Sequence, residues 1–235
     1  MDSIEEDPET LQKIEYFKES NEEGLNLSEF EIKILPIKLF DLTNLKILDL
    51  TWNFILEIPN EISNLIDLTH LYLSNNRLRK IDLDLYKLKN LEVLDLDNNY
   101  LEELPSNLSL SIGISSLSNL KTLNLKNNLL KEIPSEIGKL TKLRFLDVSQ
   151  NKLEEIPNEI FNLEFLKRIY IYNNLFDEKN FGEYKKNKEI NLLKKEIEEL
   201  KRENQELKTM IYYQPGGTGY LEAKKDFEEL VDSKK

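Results

Sequence analysis

Residues 45–67 read LKILDLTWNFILEIPNEISNLID, and the same arrangement of apolar residues returns 23 positions later as LTHLYLSNNRLRKIDLDLYKLKN. Leucine stands at the first, fourth and sixth positions of both stretches, and asparagine stands at the ninth. This asparagine recurs as Asn53, Asn76, Asn99, Asn128, Asn151 and Asn174, with spacings of 23, 23, 29, 23 and 23 residues. A unit of this length cannot bury its apolar face alone and must stack on its neighbours. The period therefore predicts a solenoid that presents one long exposed sheet.

Each repeat has two halves with different patterns. The half with alternating leucines predicts a short parallel strand that is buried on its leucine side. The second half carries an apolar residue followed by proline, and it predicts a 3₁₀ helix or a short helical turn on the opposite side. The proline is Pro59, Pro105, Pro134 and Pro157 in successive repeats, and Asp82 replaces it once. We expect the recurring asparagine to turn inward and bond backbone groups of adjacent repeats.

These motifs resemble the typical 23-residue intracellular leucine-rich repeat family, which includes Ras-suppressor-like proteins, plant intracellular Ras-group proteins and many bacterial repeat proteins. The resemblance covers about seven repeats in residues 22–181. It implies an α/β solenoid, a right-handed horseshoe with a parallel concave sheet. It also implies that the concave face binds another protein, and that the chain is not an enzyme and needs no cofactor.

Three features depart from the repeat. Residues 1–21 precede it, and Asp7 followed by Pro8 is typical of a helix start, so we predict a capping helix there. Phe30 replaces the asparagine of the first repeat, either as a capping substitution or by drift. The repeat at 91–119 is six residues longer than its neighbours, and the surplus lies within 106–117. This insertion either packs locally or contacts a partner.

Composition limits the classes of partner. The formal net charge is −12, with 32 basic against 44 acidic residues, which argues against nucleic-acid binding. The chain has no cysteine, which excludes disulfides and favours a reducing, cytoplasmic setting. The N-terminal residues lack the pattern of a signal peptide, and no apolar run approaches the roughly 20 residues of a membrane span.

Side chains alternate along a strand, so the residues between the leucines form columns across the concave face. Two groups in these columns are off the repeat consensus and rich in aromatic residues or arginine, which protein interfaces favour. We predict partner binding by both groups: Ile47, Trp52, His70 and Tyr72 near the N-terminal end, and Phe145, Arg168, Tyr170 and Tyr172 near the C-terminal end. Asp49, Asp95 and Asp147 are consensus residues, and we expect them to be solvated.

No arrangement of residues predicts catalysis or metal binding. His70 and Ser74 share a strand face but stand roughly 13 Å apart, too far for a nucleophile and its base. Asp95 and Asp97 share a face, but two carboxylates without other ligands make a poor metal site.

After Gly182 the period changes. Residues 184–213 carry a heptad pattern with isoleucine at a, leucine at d and one asparagine at a: Ile190, Leu193, Ile197, Leu200, Asn204, Leu207 and Ile211. This combination, with glutamate at g and lysine at e, favours a parallel two-stranded coiled coil and hence a homodimer. The alternative is one amphipathic helix that caps the last repeat. Residues 214–235 read as a turn followed by a short amphipathic helix.

The sequence therefore predicts a non-catalytic scaffold that binds a partner protein and is made bivalent by dimerisation. The alternative is a regulatory or inhibitory subunit that occludes or directs a partner enzyme.

Overall fold

A computed structural model describes residues 7–20, 22–105 and 113–176. The chain divides into two units, 1–182 and 183–235, and every described residue belongs to the first. The heptad segment and the dimerisation residues predicted in it lie outside the described residues, as does the 214–235 tail.

A single parallel sheet of seven strands runs through the described residues in chain order. The strands are β1 Gly24–Asn26, β2 Ile47–Asp49, β3 His70–Tyr72, β4 Val93–Asp95, β5 Thr122–Asn124, β6 Phe145–Asp147 and β7 Arg168–Tyr170. Equivalent positions of successive repeats pair directly, so that Ile47 lies beside His70 and His70 beside Val93. The central leucine of each strand from β1 to β6 is buried, with Leu48, Leu71 and Leu94 at 0 % exposure. The predicted solenoid is confirmed.

Short 3₁₀ helices form the side opposite the sheet, as predicted. They span Ile37–Asp41, Asn60–Asn64, Leu83–Lys87, Ile114–Ser116, Ser135–Lys139 and Asn158–Asn162. A proline precedes four of them, since its fixed φ suits the extended residue before the first turn. Asp82 stands before the 3₁₀ helix Leu83–Lys87 in place of proline, and its side chain caps that helix by accepting a hydrogen bond from Asp84 N at 3.3 Å. No helix in the described part of the chain is long and apolar enough to cross a membrane.

The recurring asparagines join each repeat to the one before it. Asn76 Nδ2 donates to Leu50 O of the preceding repeat at 2.8 Å and to Leu73 O of its own at 3.1 Å. Its Oδ1 accepts from Ile55 N of the preceding repeat at 3.0 Å. The same three bonds recur at Asn53, Asn99, Asn128, Asn151 and Asn174. The predicted inward orientation and backbone bonding are confirmed.

Helix α1, Pro8–Glu19, lies beside the first strand. The Asp7 side chain accepts from Thr10 N at 2.7 Å and caps the helix, and Ile14 and Phe17 are buried in the solenoid core. Phe30, the replacement for asparagine, packs half-buried against the core beneath Lys13, whose Nζ lies 4.9 Å from the ring centroid. No earlier repeat offers backbone groups at this position, so an apolar side chain suits it better than an amide.

The end of the insertion in the long repeat packs in the hydrophobic core. Of its inserted segment, residues 113–117 are described, and Ile114 and Leu117 are 1 % and 0 % exposed. Residues 106–112 lie outside the described residues, so a partner contact by the insertion stays a prediction.

Replacing an interior asparagine should destabilise the solenoid strongly. Asn99→Ala removes four hydrogen bonds and leaves the buried N–H of Leu78 without its partner, so we expect it to lower the free energy of unfolding by about 3 kcal/mol. Asn174→Ala is the matched control, because Asn174 makes the same bonds in the last described repeat but is only partly buried. Urea denaturation measures both variants. If both variants lose the same free energy of unfolding, burial of the asparagine amide does not determine how much it stabilises the fold.

Candidate functional site on the concave sheet

Three columns of residues that alternate with the buried leucines run across the concave sheet. Strand pairing places the first two in register: Gly24, Ile47, His70, Val93, Thr122, Phe145, Arg168, and Asn26, Asp49, Tyr72, Asp95, Asn124, Asp147, Tyr170. Backbone bonds past the strands extend the register to the third: Ser28, Thr51, Ser74, Asp97, Lys126, Ser149 and Tyr172. Neighbouring members of a column are about 4.8 Å apart, so a ligand lying along a column contacts several repeats at once.

The tryptophan cluster comprises Ile47, Trp52, His70 and Tyr72. Ile47 and His70 are paired in register on β2 and β3. The rings of His70 and Tyr72 lie 6.3 Å apart and 35° from parallel, and His70 Nδ1 is 2.8 Å from Thr69 Oγ1. Trp52 is 63 % exposed and stands at the turn that follows β2, where its backbone N–H donates to Ser74 O at 3.0 Å. The structure thus places three predicted residues on the strands and Trp52 at their rim.

Trp52 occupies a strained backbone position. The residue before the recurring asparagine, or before Phe30 in the first repeat, has φ between 49° and 63°: Glu29, Trp52, Asn75, Asn98, Asn127, Gln150 and Asn173. Asparagine tolerates this left-handed conformation better than other residues with side chains, and a bulky residue there is an outlier. A large exposed ring at this position carries a backbone cost with little burial to offset it. Trp52 is therefore a candidate binding residue, and its role stays a prediction.

The tyrosine cluster comprises Phe145, Arg168, Tyr170 and Tyr172. The rings of Phe145 and Tyr170 lie 5.7 Å apart, and those of Tyr170 and Tyr172 lie 6.3 Å apart in an edge-to-face arrangement. Tyr170 is 39 % exposed and Tyr172 49 %. All four side chains lie on β6, β7 and the residues just after β7. They therefore form a continuous aromatic surface with a cation at its edge.

Carboxylates lie between and beside the two clusters. Asp49, Asp95 and Asp147 each use Oδ1 to accept from the backbone N–H two residues on, at 2.9, 3.1 and 2.9 Å. The expectation that they are solvated is wrong for Asp147, which is 7 % exposed and accepts hydrogen bonds from both the backbone N–H and the hydroxyl of Ser149. Burial raises the pKa of Asp95 above its usual range, and the nearby Asp97 and Asp49 carboxylates add to the shift.

Asp97 lies in the third column beside Lys126. Burial raises the pKa of Asp97, while the Lys126 ammonium acts in the opposite direction. Burial also raises the pKa of the Tyr72 hydroxyl, and the Asp49 and Asp95 carboxylates raise it further. The middle of the concave face therefore carries three carboxylates, Asp49, Asp95 and Asp97, and the ammonium of Lys126.

Sequence reasoning missed one contact next to the tryptophan cluster. The guanidinium of Arg77 lies 4.4 Å from the centroid of the Phe54 ring, on the flank where the chain leaves the sheet. Leu56, also on this flank, is 55 % exposed. Trp52, Phe54 and Leu56 alternate with buried Asn53 and Ile55, and that alternation was the available signal.

Metal-binding geometry is not found in the described ranges, where no group of three or more His, Cys, Asp or Glu side chains could hold an ion. His70 and Ser74 stand on the same face but four residues apart, and His70 is bonded to Thr69 instead.

Leucine-rich repeat models match three stretches of the chain. A single Leucine Rich Repeat matches residues 44–65, a two-copy Leucine Rich repeats model matches 66–110, and a Leucine-rich repeat region model matches 109–209. This chain is a leucine-rich repeat protein. No curated protein matches it significantly.

Solved structures with the same fold include bacterial and plant leucine-rich repeat proteins. A Leptospira interrogans leucine-rich repeat protein is 32 % identical, with a TM-score of 0.51 over 65 % of this chain and 43 % of that one. The plant peptide hormone receptor RGFR1, in complex with RGF2, is 34 % identical, with a TM-score of 0.57 over 68 % and 26 %. The ectodomain of the receptor kinase GASSHO1/SCHENGEN3 from Arabidopsis thaliana, in complex with CASPARIAN STRIP INTEGRITY FACTOR 2, is 29 % identical, with a TM-score of 0.50 over 60 % and 17 %. This leucine-rich repeat protein spans less than half the length of each of these chains.

Relieving the strain at Trp52 should stabilise the fold. Trp52→Asn places the residue of the other repeats at φ 55°, so we expect the free energy of unfolding to rise by about 1 kcal/mol. Gln150→Asn is the matched control, because Gln150 has φ 56° and belongs to neither cluster. Thermal and urea denaturation measure both. If Trp52→Asn destabilises the protein while Gln150→Asn stabilises it, the indole ring supports the fold and the argument for a binding role is lost.

Proposed function

We propose that this leucine-rich repeat protein is a non-catalytic scaffold that binds a partner protein through its concave sheet. The observation that carries the proposal is the pair of aromatic clusters on that sheet, one at each end of an acidic region. Repeat solenoids of this family serve in general as protein-interaction modules, and two of the similar solved structures are plant receptors in complex with RGF2 and with CASPARIAN STRIP INTEGRITY FACTOR 2.

The residue types in the clusters suit an interface. Tyrosine, tryptophan and arginine supply most of the strong contacts in protein complexes, because each buries a large area and keeps a polar group for hydrogen bonding. Tyr170 and Tyr172 also stack on each other edge to face, which holds the rings in place before a partner arrives. A surface ordered in this way loses little side-chain entropy on binding.

We further propose that two copies of the chain associate through the heptads of residues 184–213. The support is the sequence pattern alone: isoleucine and leucine at the core positions and Asn204 as the single polar core residue. A parallel dimer would present two concave sheets to a dimeric or clustered partner and raise the apparent affinity by avidity. The cytoplasmic location stays a prediction, supported by the absence of cysteine.

Removing the tyrosine pair should weaken partner binding. We expect Tyr170→Ala/Tyr172→Ala to reduce the affinity for the partner at least about thirtyfold, the loss of one strong aromatic contact. Tyr100→Ala is the control, because Tyr100 is 52 % exposed and belongs to none of the three columns. Quantitative affinity capture with the full chain and both variants identifies concave-face partners, and calorimetry measures each affinity. Equal capture of every partner by all three proteins would contradict the proposal.

Dimerisation is tested by molar mass. Light scattering should give the full chain twice the 27.8 kDa of one copy, while a chain truncated after Gly182 should scatter as a single copy. Asn204→Leu in the full chain is a further check, since loss of the polar core residue relaxes the choice of strand number and should yield higher oligomers. A single-copy mass for the full chain would rule out the dimer and leave the capping helix as the explanation of the heptads.

A further inference from the structure

The tryptophan cluster has an aromatic ring placed between two carboxylates. Tyr72 on β3 pairs in register with Asp49 on one side and with Asp95 on the other. Strand spacing puts the two aspartate Cα atoms about 10 Å apart, with the phenol ring between them. We call these three residues the Tyr72 site. Ile47, 38 % exposed, and His70 lie beside it in the first column.

The carboxylates of the Tyr72 site are not matched by a cation among the described residues. Lys46 pairs with Glu23 and Lys121 with Glu92 at the start of the strands, while Lys126 lies beside Asp97. The described salt bridges include neither Asp49 nor Asp95. The raised pKa of the Tyr72 hydroxyl reflects this field, with burial as the larger cause and the two carboxylates as the next. The site thus holds unneutralised negative charge around a π-face.

The geometry suits an organic cation better than a metal ion. Calcium and magnesium need several oxygens within about 2.0–2.6 Å, which two carboxylates on strands separated by a third cannot supply. A guanidinium is planar and stacks on an aromatic ring while its N–H groups donate to carboxylates on both sides. This protein makes the same type of stack within itself, where Arg77 lies over Phe54.

We propose that the Tyr72 site binds an arginine side chain of the partner, with an adjacent apolar residue of the same segment packed on Ile47 and Trp52. The inference rests on the proposed function and specifies its partner, an extended segment in which arginine neighbours an apolar residue. The guanidinium lies on Tyr72 and donates to Asp49 and Asp95. The exposed indole of Trp52 at the rim then gains the burial that offsets its backbone strain.

The repeats themselves supply a substitution that removes charge and keeps structure. Asn26 and Asn124 occupy the same column as Asp49 and Asp95. Their Oδ1 atoms accept the same backbone hydrogen bond, from Ser28 N at 2.8 Å and Lys126 N at 3.2 Å. Asp→Asn in this column therefore preserves the turn, and any loss of binding reports the charge.

The test uses the full chain and a random dodecapeptide library displayed on phage. We expect enriched peptides to carry arginine next to an apolar residue. A synthetic, tryptophan-free version of the best peptide is then titrated while the fluorescence of Trp52, the single tryptophan of the chain, is recorded. Asp49→Asn/Asp95→Asn should weaken binding about a hundredfold, about tenfold for each charge-assisted bond. Asp147→Asn, in the same column but away from Tyr72, should change it less than about twofold.

Replacing the peptide arginine by citrulline keeps its shape and removes its charge. It should weaken binding to the unmodified chain as much as the double substitution does, and it should add nothing further in the Asp49→Asn/Asp95→Asn variant. If the affinity losses from citrulline and from Asp49→Asn/Asp95→Asn add independently, the inference is overturned. It is also overturned if the enriched peptides lack arginine and bind equally well to the chain with and without Asp49→Asn/Asp95→Asn. Such peptides would leave the proposed function intact if Tyr72→Ala or Tyr170→Ala/Tyr172→Ala still abolished their binding. Peptides insensitive to every concave substitution would overturn the proposed function itself.

Discussion

The buried asparagine amide is the interaction on which the rest of this structure depends. Each one donates to two buried backbone carbonyls and accepts from one buried backbone N–H, and two of these three groups belong to the preceding repeat. An unpaired buried backbone group costs about 1–3 kcal/mol, so a repeat cannot shift relative to its neighbour without losing several such bonds. The strand register, and with it every column on the concave face, follows from this constraint.

A fixed register separates the residues that build the fold from those that are available for binding. The leucines and asparagines point inward, and the outward columns tolerate any side chain that suits a strand. The residue just before each asparagine can be fewer amino-acid types, because its φ is positive and asparagine adopts that conformation most readily. A tryptophan in that position is therefore a stronger indication of a binding role than an exposed aromatic residue on a strand, where the backbone imposes no such cost.

The aspartates of the second column combine a structural and an electrostatic role. One carboxylate oxygen accepts a backbone N–H and orders the chain after the strand, and asparagine does this equally well in two other repeats. The choice of aspartate over asparagine at Asp49 and Asp95 therefore adds charge without adding structure. That charge lies on either side of an aromatic ring, and this arrangement is the basis for the proposed arginine-bearing partner.

Much of the fold and of the surface could be predicted from the sequence, because a repeat with one asparagine per turn permits a single register and side chains alternate along a strand. The strands, the columns and the inward asparagines follow from spacing alone. Only the tertiary structure decided how each outward residue is surrounded. Asp147 is buried although it shares a column with the partly exposed Asp49, Trp52 is strained, and Arg77 stacks on Phe54. These differences arise because burial, backbone dihedrals and side-chain contacts depend on the neighbouring repeats, which differ in sequence even where the period is constant.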